Sequence, residues 1–339
     1  MRYVLGIESS CDETAAAVIS EDKRILSNVV YSQIEQHKVF GGVVPETAAR
    51  AHLEKIDWVV RKAVDDSGLS LKDMSAIAAT CGPGLIGGVI VGSVFGKSLS
   101  FATKIPFIAI NHIEAHALSV RATENLEFPY LLMLASGGHC QLCVVHDIDN
   151  FEILGRTLDD SVGESFDKVS RMLGFGYPGG PIIERMYYEG DPTRFTLPRP
   201  LCTKGNCDFS FSGLKTAVLN LLPKCNTEQD KKDLAASFQA TVCEIIAFKM
   251  NQAIKMLRDS KINAAVISGG VAANMLIRKS LQQICKKHSV PFLVSPRELC
   301  TDNGVMIAWL GVEKLRKGIY NDLNFAPRPR WELGTNGTR

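Results

Sequence analysis

The chain has 339 residues, 46% of them hydrophobic and 22% charged, the balance of an ordinary globular protein of about two domains. Its 38 basic and 36 acidic side chains leave a formal net charge of +2. This excludes a disordered or collagen-like chain and one that coats nucleic acid indiscriminately, but not a local basic patch. In chain order, residues 4–8 read as a strand, 9–13 as a polar turn and 14–19 as a second strand. Residues 46–67 have helical periodicity, with Trp58, Val59 and Ala63 on one stripe. Residues 76–80 form an apolar strand, Cys81-Gly82-Pro83-Gly84 a turn, and the run to Phe101 a helix. Its apolar stretch, 85–96, is shorter than the roughly 20 residues a membrane span needs. Residues 130–135, 136–139 and 141–145 repeat the strand, turn and strand. Residues 175–181 and 198–212 are glycine- and proline-bearing loops, and 233–257 is a long helix. An apolar strand at 264–268 then leads through Gly269-Gly270 into a helix ending near Ile284. Thr301 is the expected N-cap of a last helix running to Lys317.

The order hairpin, then strand–glycine–helix, occurs twice, which points to two copies of one α/β unit. The expected lobes are 1–110 and 111–325, followed by a tail at 326–339. Two hairpin tips facing two glycine turns would frame a nucleotide cleft, since glycine lets phosphate approach helix-terminal N–H groups. This plan is similar to the duplicated actin-like ATPase fold of actin, sugar kinases and Hsp70; an ordinary doubly wound domain is the alternative. Glu8, Asp12 and Glu13 stand where a signal peptide would carry its apolar run. A reducing cytoplasm is therefore expected, with ten free cysteine thiols and no membrane contact. In that setting the glycosylation-like Asn336-Gly337-Thr338 has no meaning.

His112-Ile113-Glu114-Ala115-His116 spaces two imidazoles four apart, on one helix face, as a divalent metal requires. In a zinc peptidase the base follows the first histidine directly. Here Ile113 holds that position, and Glu114 lies about 200° round the helix from His112. Asp302 is a candidate third ligand, or simply an acid at a helix start. Cys140 and Cys143 lie three apart in a strand and face opposite ways, so they are expected to be unligated. Asp12 and Glu13 at the first hairpin tip could bind Mg²⁺, position a nucleophile or sit in a solvated turn. Asp167-Lys168 is a helix-start pair or a surface ion pair. Lys231-Lys232, Lys286-Lys287 and Arg328-Pro329-Arg330-Trp331 are the local basic clusters, suited to RNA phosphate or to plain solvation.

Several motifs together carry a closer resemblance. They include Glu8-Ser9-Ser10-Cys11-Asp12-Glu13-Thr14, Gly41-Gly42-Val43-Val44-Pro45-Glu46, the His112–His116 pair, Ser136-Gly137-Gly138-His139 and Gly163-Glu164-Ser165-Phe166-Asp167-Lys168. Tyr177-Pro178-Gly179-Gly180-Pro181, Asp208-Phe209-Ser210-Phe211-Ser212-Gly213-Leu214-Lys215, Gly269-Gly270-Val271-Ala272-Ala273-Asn274 and Cys300-Thr301-Asp302-Asn303-Gly304 continue the series. In this order, across residues 3–331, the chain resembles the TsaD (Gcp) family. The resemblance implies transfer of a threonylcarbamoyl group from threonylcarbamoyl-adenylate to N6 of adenosine 37 in tRNAs reading codons that begin with A, giving t6A. It implies a metal held by His112, His116 and Asp302, Fe²⁺ before Zn²⁺. It implies a substrate and nucleotide site at Leu134, Ala135, Ser136, Gly137, Gly138, Asp167, Gly180, Glu184 and Asn274, with ATP, ADP or Mg²⁺ in the cleft. Asp12 and Glu13 would be the catalytic carboxylates. Leu134 stands where archaeal and eukaryotic members carry a ligating tyrosine, so the likeness is to the bacterial and mitochondrial branch. The implied partners are tRNA, a TsaB-type paralogue and a TsaE-type ATPase, or a second copy of the chain.

Overall fold

The computed structural model describes residues 1–202 and 205–334. The Asn336-Gly337-Thr338 motif and the end of the expected tail lie outside them. Among the described residues, ten strands form two five-stranded sheets whose central strands are largely apolar and buried on both faces, while three of the four edge strands are partly exposed. The first begins with β1 (Tyr3–Glu8), β2 (Glu13–Ser20) and β3 (Ile25–Ser32), an antiparallel meander. The chain continues through α1 (Ile34–Lys38), α2 (Pro45–Asp66), β4 (Ala76–Gly82), α3 (Ile86–Thr103), β5 (Phe107–Asn111) and α4 (His112–Leu118). The order is β3-β2-β1-β4-β5, with β1, β4 and β5 parallel.

The second sheet begins with β6 (Tyr130–Ala135), β7 (Cys140–Asp147) and β8 (Asn150–Arg156). Then follow α5 (Val162–Met172), α6 (Gly179–Glu189), α7 (Ser212–Leu221), α8 (Glu228–Met256), β9 (Ala265–Ser268), α9 (Met275–Lys287), β10 (Phe292–Val294) and α10 (Gly304–Arg316). Its order, β10-β9-β6-β7-β8, is that of the first sheet with β6 in place of β1 and so on. The duplication read from the sequence is therefore present strand for strand.

The two compact units differ from the expected lobes. One comprises Met1–Asn125, Asp147–Asn150 and the chain from Thr301 onward; the other is Leu126–His146 with Phe151–Cys300. Both α4 and α10 thus belong to the first unit, not the second. The reason is packing: α10 lies so close on β1 that a Cβ at Gly6 would stand 2.3 Å from Ala308 N, and Trp309 is fully buried. Beyond α10, Asn321 accepts from Ala109 N at 2.8 Å, and Trp331 joins the first unit's core, so the described part of the tail is not separate.

Three local expectations also change. Trp58 is 51% exposed while Val59 and Ala63 are buried, because the buried stripe of α2 runs through Ile56, Val59, Val60 and Ala63. The last helix starts at Gly304, not after Thr301, because the Asn303 side chain accepts from Met306 N at 3.0 Å. After Gly269 a 3₁₀ turn, Gly270–Ala273, precedes α9, which Asn274 caps. One described helix, α3, is long and apolar enough to cross a membrane. Its Gly88, Gly92 and Gly96 face, however, lies directly on Ser9 and Ala79, as in a helix packed on a sheet.

Candidate metal centre

Strand β5 runs apolar into Asn111, whose side chain accepts from the amides of Ile113 (2.8 Å) and Glu114 (3.3 Å) and so starts α4 at His112. One turn later comes His116; the two rings lie 4.6 Å apart and nearly perpendicular, at 88°. The loop before α10 brings in Asp302, its Oδ1 2.9 Å from His116 Nε2 and 3.6 Å from His112 Nε2. All three ligand atoms fall within 4.8 Å of one another.

Behind them stands Glu8, fully buried at the end of β1. Its Oε2 is 3.0 Å from His112 Nδ1 and accepts from Thr80 Oγ1 at 2.7 Å, while Oε1 accepts from Ser10 N at 2.5 Å. Ser10 Oγ is 3.1 Å from the same His112 Nδ1. A carboxylate on Nδ1 keeps the proton there and turns the Nε2 lone pair towards Asp302. Glu8 was not among the candidate residues read from the sequence. The available signal was an acid closing an apolar central strand, at the carboxyl end where α/β sheets place their sites.

The electrostatics fit a cation. Burial pushes Asp302 up, but the two histidine rings outweigh it and hold the carboxyl down at about 2. Burial pushes His112 down, yet Asp302 and Glu8 raise it to about 9. Glu8 is likewise raised by burial and pulled below its ordinary value by His112. The cluster therefore calls for positive charge between its carboxylates. Two imidazole nitrogens and one carboxylate oxygen form a transition-metal donor set. Bonds of about 2.0–2.2 Å place such atoms about 3–3.5 Å apart, close to the 3.6 and 2.9 Å that separate Asp302 from His112 and His116. Glu114 is turned away: it is buried, with Lys314 Nζ at 3.6 Å, so the peptidase base is missing.

The first hairpin tip lies in the same unit. Burial, then Asp12 and Asp302, push the Glu13 carboxyl well above its usual range; Ser32 Oγ donates to it at 3.3 Å. The tip is tied down by His52, with Nδ1 at 2.8 Å from Thr14 Oγ1 and Nε2 at 3.1 Å from the Cys11 carbonyl. Gln33 N donates to the Asp12 carbonyl at 3.0 Å.

Neither glycine turn is open at its first glycine: Gly269 has φ +91°, and a Cβ there would meet the Ala135 carbonyl at 2.4 Å. Gly82 has φ +133°, and a Cβ there would meet the Arg328 carbonyl at 1.7 Å. Gly84 N donates to Pro329 O at 3.2 Å. The first turn is therefore filled by the tail and cannot cradle a phosphate as expected. In the second unit, Gly137, Gly138 and Gly180 have nothing within 4 Å of where a Cβ would stand. Ser136 is half-buried beside them, and its Oγ accepts from His139 N at 3.1 Å. Leu134 and Ala135 are fully buried at the end of β6 and offer no side-chain surface. Asp167 sits inside α5, not at its start, and accepts from Gly179 N at 2.7 Å. Lys168 pairs with Asp160 and Glu164. Glu184 accepts from Met275 N at 2.6 Å, and Asn274 from Leu276 and Ile277 N at 3.1 Å. Both therefore saturate the start of α9. The ten cysteines carry no disulfide.

Residues 24–309 match the TsaD family, described as tRNA N6-adenosine threonylcarbamoyltransferase. The protein of that name from Paramagnetospirillum magneticum is 51% identical over 335 residues, 97% of this chain and 96% of its own. That of Rhodospirillum rubrum is 50% identical over 341 residues, 97% and 94%. Among solved structures, full-length HypF in its phosphate- and nucleotide-bound form superposes with a TM-score of 0.61 at 13% identity, over 93% of this chain and 46% of that one. Component A of the (R)-2-hydroxyglutaryl-CoA dehydratase of Acidaminococcus fermentans gives 0.52 at 15% identity, over 94% and 100%. At such identities the likeness is one of fold, and it agrees with the duplicated actin-like architecture. With the fold and near-full-length relatives in agreement, the chain belongs to the TsaD family of tRNA N6-adenosine threonylcarbamoyltransferases.

Proposed function

We propose that this chain transfers the threonylcarbamoyl group from threonylcarbamoyl-adenylate to N6 of adenosine 37 in tRNA, and that His112, His116 and Asp302 hold the divalent metal the reaction uses. The observation that carries the site assignment is the three-ligand cluster with Glu8 on His112 Nδ1. Two histidines and one carboxylate leave coordination positions open and favour Fe²⁺, with Zn²⁺ second. The metal would act as a Lewis acid on the carbamoyl carbonyl.

In the transfer, N6 forms a C–N bond to the carbamoyl carbon, the C–O bond to the adenylate phosphate breaks, and AMP leaves with the electron pair. Asp12 or Glu13 at the hairpin tip would position the adenine or accept its N6 proton. The unobstructed Gly137-Gly138 turn has backbone N–H groups suited to a nucleotide phosphate, and ATP or ADP with Mg²⁺ would use that turn. Asp167 keeps the Gly179-Gly180 turn in place. A TsaB-type paralogue or a second copy would cover the exposed Leu53 and Trp58 of α2, and a TsaE-type ATPase would join that assembly in the cytoplasm.

The test is nucleoside mass spectrometry on unmodified tRNA incubated with the protein and threonylcarbamoyl-adenylate. Chelator-sensitive t6A that disappears in His112→Ala supports the reading. Absence of t6A with and without the paralogue and ATPase sinks it. An Asp12→Ala/Glu13→Ala protein that keeps its full rate removes the tip from the chemistry.

A further inference from the structure

The transfer chemistry makes no use of a groove in the second unit. Lys279, Gln282, Gln283 and Lys286 of α9 line it with Val290 and Phe292, and its volume is 560 Å³. Phe292 belongs to β10, the edge strand of its sheet. From Met275 to Arg297 the sequence contains no aspartate or glutamate, against Arg278, Lys279, Lys286, Lys287 and Arg297. That is a concentrated excess in a chain whose whole formal charge is +2.

These cations are not all spent on the fold. Arg278 is: it donates to the Ala272 carbonyl, and its Nη2 lies 3.1 Å from Cys300 Sγ. Lys286 and Lys287 suit the carbonyl end of α9. Lys279 stands in the first half of the helix, where the dipole gives no such reason. Lys279, Lys286, Lys287 and Arg297 are exposed, and the ion pairs among the described residues include none of them. Acids usually intersperse a merely solvated helix face; here the polar partners are the amides of Gln282 and Gln283.

We propose that this groove docks the phosphodiester backbone of the RNA substrate. The argument is charge complementarity: unpaired lysines flank amides that donate to phosphate or 2′-hydroxyl oxygens, and an apolar floor seats sugar or base. The proposal rests on the tRNA-transferase reading above. It concerns holding the RNA, not the reacting atoms.

The experiment compares wild type with Lys279→Gln/Lys286→Gln. A control, Arg24→Gln/Lys72→Gln, removes two exposed cations elsewhere. Unfolding midpoints of all three verify folding. Fluorescence anisotropy with unmodified tRNA gives Kd at several salt concentrations, and t6A kinetics give kcat and KM. The groove variant is expected to raise Kd and the KM for tRNA about tenfold and to flatten the log–log salt slope by about 1.4–1.8, for two phosphate contacts. Its kcat and its KM for threonylcarbamoyl-adenylate are expected to stay unchanged. An unaltered salt slope, or an equal change in the control, overturns the proposal. So does unchanged tRNA binding with loss of an acidic protein partner. If no protein forms t6A but the slopes still differ, the docking site stands and the transferase reading falls.

Discussion

Glu8 carries a negative charge into the fully buried end of a strand, and the His112 ring with two further donors, Thr80 Oγ1 and Ser10 N, makes that tolerable. Its proposed role behind His112 as a metal ligand has a measurable size. Glu8→Gln is expected to weaken metal affinity about 10–100-fold, read as metal content after dialysis against a fixed free-metal concentration, with the far-UV spectrum unchanged. His52 makes a separate, pH-dependent statement. Burial holds it below its ordinary value despite the Cys11 carbonyl, so the folded ring is neutral where an unfolded one, near pKa 6.5, is charged. Between the folded value and about 6.5 the unfolded chain binds the extra proton. Stability therefore rises with pH across that window and is flat above it. Urea midpoints at pH 5.5 and 7.5 should differ in this sense, and the difference should shrink in His52→Gln.

Strands and hairpins were legible at the scale of elements because the apolar runs of β1, β4, β6 and β9 are bounded by polar or glycine turns. The duplication was legible for the same reason. Helix starts were less so, since several neighbouring residues are chemically able to cap. Thr301 and Asn303 both qualify, and the structure uses Asn303. Asn303→Ala should therefore lower stability by about 1 kcal/mol, with Thr301→Ala near neutral, both read from denaturant midpoints. The glycine turns show a different limit. The glycines at 82 and at 269 look like phosphate-cradling turns in sequence, but Gly82 serves the approach of Arg328 and Gly269 that of Ala135, contacts that no local pattern reveals. Likewise, the spacing of His112 and His116 was readable from one helix, Asp302 only as a candidate, and Glu8 not at all, because its partner is far along the chain.

At the scale of the whole molecule, the candidate metal ligands sit on elements that the protein's own contacts hold in place. The Asp302–His116 pair and the Asn111 and Asn303 caps are all protein contacts. Chelation at neutral pH is therefore expected to abolish t6A formation while leaving the far-UV circular dichroism spectrum unchanged. The unfolding midpoint would fall only by the linkage owed to the lost ligand. A collapse of secondary structure would instead make the metal a folding element.

The discontinuity of the first unit bears on how the protein is made. Its first 125 residues leave the ribosome early, but Asp302 and α10 follow only after the whole second unit has emerged. His112 and His116 therefore wait through most of translation with Glu8 behind them and no third ligand. The complete donor set exists only once both ends of the chain have met. A prematurely terminated product would thus carry two histidines but no assembled centre, which makes metal occupancy a late mark of a finished polypeptide.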